Sequence, residues 1–76
     1  MSTPEVHAIA ALLEDRAARV DDAANVLAAR FATATWSGPA ADRYRGLMIE
    51  RRNELRAGAD ALRDAATALR LSGGAA

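Results

Sequence analysis

Few side chains in this 76-residue sequence have the types and spacing that chemistry needs. There is no Cys, so neither a disulfide nor a thiolate nucleophile is available. The one His, His7, falls in the first turn of a predicted helix among charged and small residues, where an exposed, idle imidazole is expected. Glu14-Asp15 and Asp21-Asp22 are paired acids of the kind a metal or a general acid–base couple would use. Adjacent side chains on a helix diverge, however, so each pair is expected on a solvated face. There is no nucleophile–base constellation and no Gly-rich phosphate loop. The expectation is a non-enzyme with no metal and no cofactor.

Arginine carries the remaining chemical interest. All ten basic residues are Arg, against ten acids. Arg56, Arg63 and Arg70 repeat by seven, with Arg52 one turn earlier. Such a stripe could track phosphates. Asp60 and Asp64 sit beside it without an aromatic platform, so nucleic acid is not the expected partner. A flanking coiled-coil row that pairs with acids on a neighbouring helix explains the stripe better. Asp15 and Arg19 have the i,i+4 spacing of a weak surface pair.

The elements that hold these residues are helices. Ala (21 residues), Leu and Arg dominate, and all three are strong helix formers. Ser2-Thr3-Pro4-Glu5 has capping-box spacing with Pro in the first turn. No Gly or Pro then occurs before Thr35-Trp36-Ser37-Gly38-Pro39, the one dense breaker signal in the interior. Ser37 or Gly38 can cap a second helix, with Asp42 favouring its positive end. Ser72-Gly73-Gly74 would stop it. The predicted domain is thus a single unit, 1–76: helix about 3–34, a Trp-Ser-Gly turn at 35–39, helix about 40–71 and a flexible tail 72–76.

Apolar spacing sets the architecture. Val6, Ala10, Leu13, Ala17, Val20, Ala24, Leu27, Phe31 and Ala34 alternate by four and three, a continuous heptad seam. Ala41, Met48, Leu55, Leu62 and Leu69 repeat by seven in the second helix, with Tyr44, Ala59 and Ala66 roughly between and Arg51-Arg52 interrupting. A short linker between long helices makes them antiparallel. Val6, Leu13, Val20, Leu27 and Phe31 are expected to face Met48, Leu55, Leu62 and Leu69. A second strip, with Ile9, Leu12, Val26 and Leu47 foremost, is expected to face a partner. A lone Ala-rich seam buries too little to offset chain entropy. The fold class is therefore all-α, an antiparallel two-helix hairpin that pairs with a second hairpin into a four-helix bundle. Gly46 and Gly58, costly inside a helix, suit either a close helix contact or a tolerant solvent face.

Trp36-Ser37-Gly38, followed by Pro39-Ala40-Ala41 and then Tyr44, is the most specific motif. It resembles the WXG100 family, the small helical hairpins of type VII secretion systems. That family places Trp-x-Gly between two long helices, often with an aromatic eight residues after the Trp. The motif lies mid-chain and the flanking helices cover nearly all of the sequence. Two features depart from the pattern. Family members run near one hundred residues. Many also carry a Tyr-x-x-x-Asp or Glu export signal after the second helix, whereas Tyr44 here is followed four positions later by Met48. The resemblance implies a component that pairs with a related hairpin, or with the helical N-terminal region of an effector, whose signal serves both. A secretion ATPase would be a further partner. Trp36 and Gly38 would hold the turn. The chain would leave the cell without a cleaved signal peptide or remain in the cytoplasm as a companion. No apolar run approaches the ~20 residues of a membrane span, so no membrane insertion is expected. The alternative is a homodimeric helical-bundle scaffold or regulator unrelated to secretion.

Overall fold

A computed structural model describes residues 2–32 and 37–74. It contains two helices, α1 (Thr3–Ala32) and α2 (Pro39–Gly74). Trp36, Thr35 and the expected end of the first helix at 33–34 lie outside the described residues. Ser2 caps α1: its hydroxyl accepts from the Glu5 N–H at 3.3 Å, and its carbonyl accepts from the Val6 N–H at 3.0 Å. Gly38 opens α2. Its carbonyl accepts from the Asp42 N–H at 2.9 Å, and its φ of 110° lies where L side chains are strained. Pro39 follows as the first helical residue, where a missing N–H costs nothing. At the other end, α2 runs through Ser72 and Gly73 to Gly74, past the stop expected there.

Cross-helix contacts fix the direction and register. Arg70 pairs with Glu14, Arg63 with Asp21, Arg56 with Asn25, and Phe31 stacks near Tyr44. As residue numbers rise in α1 they fall in α2, so the helices are antiparallel. The hairpin measures 58 × 15 × 12 Å.

The core is a line of small side chains. Ala10, Ala17 and Ala24 of α1 and Ala59 of α2 are fully buried, Ala66 is 1% exposed, and Ala41 and Val6 are nearly so. The ion-pair register sets Ala17 level with Ala66 and Ala24 level with Ala59. At the open end of the hairpin Val6 lies over Gly73, where an added Cβ would sit 2.6 Å from the Val6 Cγ1. Small residues at every seventh position let the backbones approach closely. No large side chain is fully buried among the described residues.

Candidate functional site, an open apolar face

The heptad places seven rows around each helix. The Ala row of α1 (10, 17, 24) points at α2, and the row 45, 52, 59, 66, 73 of α2 points back. One flank of this seam carries Val6, Leu13, Val20 and Leu27 from α1 and Ala41, Met48, Leu55, Leu62 and Leu69 from α2. In an antiparallel pair these two rows lie on the same side. Apart from buried Val6 and Ala41, these residues are half-buried. They therefore straddle the seam edge rather than fill it, which is where the expected face-to-face seam of large residues differs from the molecule. Phe31, also half-buried, takes the Ala-row position nearest the turn. Farther out on the same side lie the four residues expected to meet a partner: Ile9 (38% exposed), Leu12 (55%), Val26 (53%) and Leu47 (60%). Together they extend the apolar strip along most of the hairpin.

The opposite flank is polar and closed by ion pairs. Arg70 Nε donates to Glu14 Oε1 at 3.0 Å, and the Arg70 Nη2 is in contact with the same oxygen. Arg63 pairs with Asp21 and, at 3.3 Å, with Asp60 in its own helix. Arg56 donates to Asn25 Oδ1 at 3.5 Å. The Arg stripe thus latches the hairpin to itself. Its hydrogen bond to Asp21 is the largest reason that the Arg63 guanidinium titrates even higher than usual, so it stays charged at every working pH. Asp15 and Arg19 form the expected surface pair at 3.0 Å.

Two seam positions depart from the expected register. Arg45, rather than Tyr44, continues the central row of α2, and Arg52 occupies that row instead of interrupting it. Tyr44 turns outward, 48% exposed, with its ring 6.0 Å from that of Phe31. Near the turn, Phe31 and Arg52 stand at the level where Ala faces Ala elsewhere. A groove of about 270 Å³ lies beside these larger residues. Leu27, Phe31, Met48, Ile49, Arg45 and Arg52 are among its walls. Arg52 Nε is buried with no hydrogen-bond partner among the described residues. Periodicity did not single out this groove, or Ile49 with its 47% exposure. The break of the Ala row at Phe31 was the available signal.

No family model, curated protein or solved structure matches this chain.

Among the described residues no group of three or more His, Asp or Glu side chains could hold a metal ion, and no helix is long and apolar enough to cross a membrane. The sequence-proposed acids are separated as expected: Glu14 and Asp21 turn towards α2, while Asp15 and Asp22 point to solvent. Of the Trp36-Ser37-Gly38 motif, only Ser37 and Gly38 are described, and both are exposed.

Proposed function

We propose that this chain is a binding protein, not an enzyme, that docks its apolar face onto a second helical hairpin, and that it serves as a WXG100-like component of a type VII secretion pathway. One observation carries the docking role: nothing larger than Val6 is buried among the described residues, while the large apolar side chains other than Ile49 and Leu71 lie on or beside one open side. The surface area agrees with this. The chain exposes 5358 Å², whereas a compact monomer of its mass exposes about 4,450 Å². The excess is close to the ~800 Å² that each partner contributes to a standard interface. The radius of gyration is 17.3 Å, against about 11 Å for a globular chain of this length. A second hairpin laid on the face would convert the half-buried rows into the core of a four-helix bundle.

The secretion role is supported by the sequence resemblance alone: Trp36-x-Gly38 between two long helices, with Tyr44 following. The deciding experiment follows a tagged chain into the culture medium of its source organism, with and without the type VII secretion ATPase. Loss of the extracellular chain in the ATPase deletion supports the role. Retention in the cytoplasm in both strains, with no effect of Trp36→Ala on any partner complex, overturns it. The docking role would then stand alone, as a bundle scaffold.

A further inference from the structure

The ion-paired flank changes character towards the turn. Its α1 row begins with Glu14 and Asp21 and continues with Ala28, and its α2 row runs from Arg70, Arg63 and Arg56 to Ile49. Where these rows become apolar, the groove of about 270 Å³ lies between the helices. Leu27 and Met48 wall it on the open side, Ala28 and Ile49 on the other. Six of its described wall residues are apolar, two are Arg and none is acidic. Arg45 is engaged by Asp42 at 3.4 Å. The Nε of Arg52 is buried and has no hydrogen-bond partner among the described residues. An unmade hydrogen bond of a buried guanidinium costs free energy, which Ala at the equivalent positions 59 and 66 does not incur. We infer that this groove is a binding site for a small apolar carboxylate, a short acyl or aryl acid, whose body lies between Phe31, Met48 and Ile49 and whose carboxylate meets the Arg52 guanidinium.

Charge complementarity selects the anion, because the walls hold two guanidinium groups and no acid. The planar fork of an Arg matches the two oxygens of a carboxylate. Apolar walls with a few placed polar groups are the usual make-up of a small-molecule site. Size bounds the ligand. Sites for drug-sized ligands run from about 300 to 1,000 Å³, so a groove just below that range suits a short chain or a single ring. An α-helix, about 10 Å across, cannot enter it. The groove shares only its edge residues Leu27 and Met48 with the docking face, and its ligand is independent of the docking role.

The test titrates octanoate, and octanol as its uncharged counterpart, into the full chain, read by calorimetry and by backbone amide shifts. Octanoate is expected to shift the amides of Leu27, Ala28, Met48 and Ile49. It should bind at least about tenfold more tightly than octanol, the difference that one hydrogen bond to a charged group supplies. Arg52→Gln should remove that preference and leave octanol binding in place. Ile49→Glu, at a position 47% exposed and so tolerant of charge, should weaken octanoate by about tenfold by placing an acid in the wall. That variant keeps the test decisive if Arg52→Gln loses helicity. Equal affinity for octanoate and octanol overturns the carboxylate site, as does an unchanged preference in both variants. Shifts spread along Leu12, Val20 and Leu62 would mean that the amphiphile coats the open face, which also overturns it. Absence of binding by either probe overturns it outright and leaves the docking role untouched.

Discussion

Glycines separate three kinds of position in this chain. Gly38 caps α2 at a φ of 110°, and Gly38→Ala is expected to cost about 1–3 kcal/mol, measured by urea unfolding followed by helical circular dichroism. Gly73 lies under Val6, and Gly73→Ala should cost about 1 kcal/mol, because the new Cβ displaces the Val6 side chain. Gly46 and Gly58 both face open space within the hairpin. Replacing either with Ala should stabilise the hairpin by about 0.5–1 kcal/mol through helix propensity. The two should part on binding: Gly58→Ala weakens a partner complex because it lies on the apolar side, while Gly46→Ala, on the polar side, does not. Equal effects on a measured Kd would place the interface elsewhere. At this scale the sequence showed that four glycines needed explanations. It could not show which of them another backbone or side chain approaches.

Within the elements, the Ala row sets how closely α1 and α2 approach. Enlarging it should separate them. Ala17→Leu or Ala59→Leu is expected to destabilise the hairpin by about 1–3 kcal/mol, read as a lower unfolding midpoint. Larger apolar residues would add burial if the seam were loose, so a stabilised variant would contradict the close packing. The ion-paired flank contributes differently. Its Arg residues stay substantially exposed, and exposed pairs add little in salt. Their more specific effect is register, since Arg63 and Arg70 each meet an acid on the other helix. The seven-residue spacing of these Arg was visible in the sequence together with their pairing role. Whether the paired acids belonged to this chain or to another depended on the register of the two helices.

Across the whole molecule, the half-buried rows and the exposed Leu12 and Leu47 form one surface. Leu12→Glu with Leu47→Glu should leave the helicity of the isolated chain unchanged and abolish a partner complex in sedimentation. Loss of helicity in the isolated chain would mean that these residues already belong to the fold. The sequence by itself determined two helices, their caps, their antiparallel pairing and the existence of more apolar surface than one seam can use. Those follow from local rules: breakers, capping groups and a heptad period are properties of neighbouring residues. Only the tertiary structure decided that Ala fills the seam while Leu, Val and Met line its edge. It also decided that Arg45 and Arg52 belong to the central row and that a groove opens at Phe31. A heptad names two apolar rows without saying which one points straight at the other helix. That choice depends on how closely the two backbones can approach, which is settled by the size of the side chains that meet.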